Sequence, residues 1–515
     1  MKIRQITTCH TCRARKLACD GKTPVCTQCT KSGRECAGYQ HDLIFRPPTV
    51  STHHQTPIIS AKRRRRNPPA GNPKNKRQPS RPLKAEPGAK EKAEGSRAAE
   101  LIPRQRPETI HPPLTWPLLD IISLVIQNFS PIEHLSKTGC ASHTSKSSPH
   151  RVCGAWVEAL PELARDRQAE LYLSPAIKTL AVSIVSRGKN GRAPVSDALE
   201  AQTIALSSIQ SGLGQMMASN SNLLAAATMC LFLSEMVLPT SNSSAPIHAR
   251  GIGDLLQLHE PDFYSSGISH QLFVGFRPVM FIHVFMSRQK SFLAETQWLH
   301  APFSESGAAP LQNLFSEMMN MPVTVGVVEG LDTMPLEQAQ FAAQNALHNF
   351  ETWVRQLVNL REAQGDGGQY QCFSTEPPYD NRTALQFSSI TAANYFTHIW
   401  ALHIACAQNI RQIRRIFPCL VGDVDPDLEA LISKEAVVEL AILILRSMQF
   451  LARAEFKLFG AASAVLPLNQ AGEVLKREGA DNADLWYWYH EMAQLAGTTG
   501  YNIMARNMLE YQHGL

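Results

Sequence analysis

The stretch Cys9-His-Thr-Cys12-Arg-Ala-Arg-Lys16-Leu-Ala-Cys19-Asp-Gly-Lys22-Thr-Pro-Val-Cys26-Thr-Gln-Cys29-Thr-Lys-Ser-Gly-Arg-Glu-Cys36 places six cysteines at the spacing C-x2-C-x6-C-x6-C-x2-C-x6-C. These are two near-identical halves, each a C-x2-C pair with a third cysteine six residues on. A C-x2-C pair sets two thiolates on one tight turn, the usual half of a tetrahedral metal site. Six thiolates are too few for two separate four-thiolate zinc sites. The count closes if two cysteines bridge, so that each of two zinc ions has four sulfur ligands. Leu17 and Val25 are the main large apolar residues in the stretch, far too little for a core. A unit this small needs a staple, and zinc is predicted to hold it folded.

Working outward, the charge is uneven. Residues 1–110 hold 24 of the 50 Lys/Arg but 8 of the 44 Asp/Glu, or +16, which leaves −10 for the remainder. A basic arm on a mildly acidic body points to a polyanion as the partner of the arm. The start, MKIRQITTCH, has no apolar run. The most apolar stretch, Leu223–Leu238, is interrupted by Glu235 and is too short to span a membrane. The expectation is a soluble intracellular chain without membrane contact. In that reducing setting clustered cysteines favour metal over disulfides.

Residues 41–113 carry 13 of the 33 prolines, and Phe45 is their only aromatic residue. Such a segment cannot bury enough apolar surface to offset its ordering entropy, so a disordered linker is predicted. Within it lie Lys62-Arg63-Arg64-Arg65-Arg66 and Lys74-Asn-Lys76-Arg77, which read as a nuclear localisation signal.

Beyond it the pattern turns helical. Leu118–Phe129 reads as a first apolar helix. Ile177, Leu180, Ala181, Ile184 and Val185 share one helix face, as do Leu206, Ile209, Leu213, Met216 and Met217. Ile252, Leu255, Leu256 and His259 follow a Gly251-x-Gly253 turn. Leu347, Phe350, Val354 and Leu357 form another stripe, and Val437–Leu445 is apolar nearly all round, as for a helix buried on all sides. The organisation predicted is a metal-stapled domain over 1–40 with two short helices, a linker over 41–113, and a large all-α region over 114–515 with about ten to fourteen helices.

Arg13, Arg15 and Lys16 sit between ligands, on what reads as a short helix pinned at both ends by metal. That pinning fixes where their donors point, and Lys or Arg to the guanine edge is the commonest specific base contact. The stretch resembles the zinc binuclear cluster of fungal transcription factors in its six cysteines, Arg13-Ala-Arg15-Lys16, Cys19-Asp20-Gly21 and Pro24. The resemblance implies that Cys9 and Cys26 bridge two zinc ions. It implies that Lys16 reads a CGG triplet in the major groove of double-stranded DNA, beside Arg13, Arg15 and Lys22. It also implies that Pro24 shapes the loop between the halves. A second, more diffuse resemblance, to the helical regulatory region of such proteins, is carried by His248-Ala-Arg-Gly-Ile-Gly-Asp-Leu-Leu-Gln-Leu258, Ser287-Arg-Gln-Lys-Ser-Phe-Leu293 and Trp298. Together these predict a nuclear transcription regulator whose body serves regulation, with homodimerisation and an effector or co-regulator left open. The competing reading is an adaptor whose cluster binds RNA or protein.

Other features have plainer readings. A catalytic zinc needs an open ligand position, which all-thiolate sites lack. Gly251-Ile-Gly253 lacks the third glycine of a phosphate loop, His490-Glu491 lacks a second histidine, and no G-x-S-x-G occurs, so no enzyme is predicted. Cys140, Cys153, Cys230, Cys372, Cys406 and Cys419 are scattered and read as buried inert thiols. Ala483–Met492 reads as the core face of a helix, and Arg411, Arg414 and Arg415 as a solvated helix end.

Overall fold

A computed structural model describes residues 11–12, 15, 17, 19, 26–34, 116–131, 153–187, 195–214, 220–241, 243–365, 372–374, 383–420, 425–478 and 483–498. The chain divides into two compact units, Met1–Arg104 and Gln105–Leu515. The predicted linker and its basic runs lie outside the described residues.

Among the described residues of the first unit, Thr27–Lys31 forms helix α1. The described residues of the second unit are mostly helical. Its α-helices are α2 (Leu118–Phe129), α3 (Leu160–Leu163), α4 (Ala169–Ser186), α5 (Val195–Gly214), α6 (Ser221–Val237), α7 (Ser244–Leu256), α8 (Gly267–Ser287) and α9 (Thr296–His300). They continue with α10 (Pro310–Met318), α11 (Met321–Glu329), α12 (Leu336–Gly365), α13 (Ile390–Ile416), α14 (Pro426–Ile432), α15 (Lys434–Leu451), α16 (Lys457–Ser463), α17 (Val465–Glu478) and α18 (Ala483–Thr498). That is more than the expected ten to fourteen, because α3, α9, α14 and α16 are one- to two-turn pieces that periodicity does not resolve. A two-stranded antiparallel sheet also interrupts the all-α expectation: β1 (Cys372–Ser374) pairs with β2 (Leu385–Phe387), Phe373 opposite Gln386.

The axis of this body is α13, whose residues 390–407 are all buried. Two of its buried polar groups turn back on their own helix: Thr397 Oγ1 donates to the Ala393 carbonyl at 2.8 Å, and His398 Nδ1 lies 2.7 Å from the Asn394 carbonyl. This satisfies them without a cross-helix partner. α12 runs antiparallel to α13, since Tyr395 reaches the Leu360 carbonyl while Arg414 reaches Glu351. Arg414 also pairs with Glu429 of α14, and Arg355 with Asp425 at 2.9 Å. Arg414 is therefore a clasp between three helices rather than a solvated end.

Several stripes differ from expectation for packing reasons. The buried face of α5 is Ala198, Ala201, Gln202, Ala205, Ile209 and Gly212, with Leu206 and Leu213 only partly covered. Gly212 has no side chain to hold off Tyr172 of α4 and Leu224 of α6. Met216 and Met217 lie outside the described residues. Gly251 and Gly253 are inside α7, not in a turn before it. Glu439 leaves one edge of α15 exposed. Cys230 and Cys406 are buried, and burial pushes both thiols far up, whereas Cys372 is half-buried and Cys419 is exposed. Cys140 lies outside the described residues. Trp488, Tyr489 and Met492 of α18 are buried and Tyr487 is exposed, so this segment does present a core face.

Among the described residues, the charged side chains of Glu235 and Arg277 are fully enclosed. Glu235 on α6 accepts from Gln202 and, at 2.7 Å each, from the Thr240 amide and hydroxyl. Arg277 on α8 donates to the Gln312 carbonyl (2.7 Å), the Gln312 side chain (3.1 Å) and Ser316 Oγ (2.6 Å), and lies over the Phe303 ring. It ties α8 to α10. Arg277→Ala should cost ~4 kcal/mol, through lost volume plus orphaned acceptors. Urea unfolding monitored by circular dichroism measures this. Arg277→Lys should recover little, since an ammonium cannot reproduce the fork.

Candidate metal centre

The first unit closes around sulfur. Cys12, Cys26 and Cys29 are buried, and their Sγ atoms all lie within 4.8 Å of one another. Cys12 Sγ is 3.7 Å from Cys26 Sγ and 4.0 Å from Cys29 Sγ. Sulfurs at ~2.3 Å from a tetrahedral zinc are separated by about 3.8 Å, so these spacings suit shared metal coordination. Cys19 packs against the group, half-buried. Among the described residues the donor set is thiolate alone, and the buried residues of this unit are these cysteines. The residues present fit zinc.

Local structure explains how the chain puts them there. Cys26 caps the N-terminus of α1, its Sγ accepting from the Cys29 amide at 3.3 Å. One side chain therefore serves as helix cap and sulfur donor together. At the other end Gly33 takes a left-handed conformation, φ +60°, and the Arg34 amide bonds the Cys29 carbonyl at 3.1 Å. This is a Schellman closure, which glycine adopts without strain. The first half repeats the closing bond: the Leu17 amide bonds the Cys12 carbonyl at 2.9 Å. Thr11 and Cys12 are helical.

Residues 7–43 match the family model described as the fungal Zn(2)-Cys(6) binuclear cluster domain. This stretch is a Zn(2)-Cys(6) cluster domain. It takes two zinc ions, the number to which six thiolates with two bridges add up. The chain is similar to transcriptional regulatory protein moc3 of Schizosaccharomyces pombe, with 41% identity over 66 residues, 11% of this chain and 13% of that protein. It is similar to transcription activator AMTR1 of Alternaria alternata, 62% over 53 residues, 10% of this chain and 6% of that protein. A third relative is the sorbicillinoid biosynthetic cluster transcription factor sor3 of Hypocrea jecorina, 56% over 34 residues, 7% of this chain and 5% of that protein. The likeness thus spans a small fraction of each relative. No solved structure matches the chain.

Of the predicted site residues, the structure brings Cys12, Cys26 and Cys29 together and sets Cys19 beside them. Arg15 is exposed, as a residue that meets a partner must be. Cys9, Cys36, Arg13, Lys16, Lys22 and the basic residues Lys62–Arg66, Lys74, Lys76 and Arg77 lie outside the described residues. The capping role of Cys26 and the helix-closing role of Gly33 were missed in the sequence. The Ser32-Gly33 pair was the available signal for the second. Among the described residues, no helix is long and apolar enough to cross a membrane.

Proposed function

We propose that this chain is a sequence-specific DNA-binding regulator of transcription, acting in the nucleus. The observation that carries the reading is the cluster domain itself: a thiolate-only metal centre with Arg13, Arg15 and Lys16 set between its ligands. A centre closed on thiolates has no position for a reacting water, which favours a binding module over an enzyme. The relatives' names, a transcription factor and a transcription activator, favour the same reading.

In this proposal Cys9, Cys12, Cys19, Cys26, Cys29 and Cys36 hold the two zinc ions, with Cys9 and Cys26 bridging. The closeness of Cys26 Sγ to the Cys12 sulfur supports its share in that arrangement. Lys16 reads guanine in a CGG-like half-site of double-stranded DNA, with Arg13, Arg15 and Lys22 beside it. The Pro-rich arm over 41–113 gives reach, and its basic runs direct nuclear import. The helical body over 114–515 regulates, by pairing with a second copy or by binding an effector or co-regulator.

Selection of random duplex DNA by the full chain tests this: CGG-containing sequences should be enriched. Enrichment of none, with capture of RNA or protein instead, would favour the adaptor reading. Lys16→Ala should cost about 1–3 kcal/mol against the preferred site and relax preference at the guanine it contacts. Neutralising Lys62–Arg66 should alter import or salt-dependent affinity without changing sequence preference.

A further inference from the structure

The two halves of the cluster domain are repeats offset by 17 positions, Cys9-Cys12-Cys19 onto Cys26-Cys29-Cys36. The structure carries the repeat into the backbone: Leu17 N to Cys12 O in one half is Arg34 N to Cys29 O in the other. The side chains do not repeat. Gly33 occupies the place in the count that Lys16 holds in the first half, and it has no side chain to send to a base. Thr30 and Ser32 stand at the places of Arg13 and Arg15. The second half instead places its cations at the places of Ala14 and Leu17, as Lys31 and Arg34, and both are exposed.

We propose that the two halves have divided one task, and that Lys31 and Arg34 form a phosphate clamp that holds the duplex without reading its sequence. This rests on the DNA-binding reading above. Three features point that way. Each cation is two residues from a cysteine of the cluster, so each is anchored close to the metal and loses little freedom on binding. Lys31 closes the last turn of α1, and the Gly33 turn fixes the chain direction into Arg34. Long flexible cations without an adjoining base-reading position suit phosphates, where charge rather than edge pattern decides. Glu35, at the place of Ala18, keeps this half less basic than the first, as expected of a holding contact added to a reading one.

The test uses the zinc-loaded full chain and measures binding to a CGG-containing duplex and to an unrelated duplex over a series of salt concentrations. Lys31→Gln with Arg34→Gln should weaken both duplexes by the same factor. The slope of log affinity against log salt should become shallower by about two, one for each lost phosphate contact. Base preference in a selection should be unchanged, and Lys31→Arg with Arg34→Lys should restore the slope. Zinc content of two per chain in each variant separates lost contacts from lost fold. If the unmodified chain binds no duplex, the DNA-binding reading fails. If it binds and the Gln variant keeps the same slope, or shifts base preference, the clamp is wrong while that reading stands.

Discussion

Replacing Cys26 with serine should strip the chain of both zinc ions, while replacing Cys29 should remove one. The difference follows from the bridging role proposed for Cys26. A terminal thiolate serves one metal, and its loss leaves the other with four sulfurs; a bridging thiolate serves both. Cys26 carries more than metal, since its Sγ also caps α1 by accepting from the Cys29 amide. A serine hydroxyl can still cap a helix, so the substitution removes the ligand and spares the cap. Structural zinc contributes on the order of 10–16 kcal/mol of binding energy that is also folding energy. No other buried residues are described in this unit to make up such a loss. Inductively coupled plasma mass spectrometry of the purified chain gives the count. A Cys26→Ser chain that retains two zinc ions would refute bridging at this position. Circular dichroism of the Gln105–Leu515 unit should be unaffected, because its core is a separate one.

The metal centre was legible because its chemistry is local. Spacing alone puts Cys26 and Cys29 on one turn, and the repeat puts a matching pair at Cys9 and Cys12. The body was legible where one element decides its own fate. Leu118–Phe129 is bounded by Pro117 and Ser130, and its apolar period is plain. It was illegible where a neighbour decides. Gly253 reads as turn chemistry, but it lies inside a continuous helix, where the Met280 methyl of α8 fills the space a Cβ would take, 2.7 Å away. The alanine face of α5 reads as weaker than its leucines, yet the small residues are the buried ones because α4 packs close. Arg414 reads as a solvated helix end, since Glu351 and Glu429 are remote in sequence. Strands of three residues give too short an alternation to register.

Acid should begin to destabilise the helical body well above the pH at which its carboxylates protonate. His248 on α7 and His398 and His403 on α13 are buried, and burial lowers each imidazole to about 4. For His403 the Arg361 charge pushes the same way, while its bond to the Leu431 carbonyl opposes; for His398 the Asn394 carbonyl opposes. The sign follows from which state binds protons. Above about pH 7 the rings are neutral in both states, and the three groups leave stability independent of pH. Below the unfolded value of about 6.5 the unfolded chain takes up protons that the folded body refuses, so stability falls with pH until about 4. Each group contributes up to about 1.4 kcal/mol per pH unit over that window, or roughly 3 kcal/mol by its end. The sum for three is of order 10 kcal/mol, comparable with the whole stability of a typical domain. Between pH 6.5 and 5 carboxylates remain largely ionised, so the slope there belongs to histidine. Urea midpoints taken at half-unit steps across that range should fall steadily. His398→Gln should be less stable at pH 7.5 and yet show a shallower slope. Midpoints that stay level from pH 7 to 5, or a slope untouched by the substitution, would mean that these rings are already charged or exposed in the folded body.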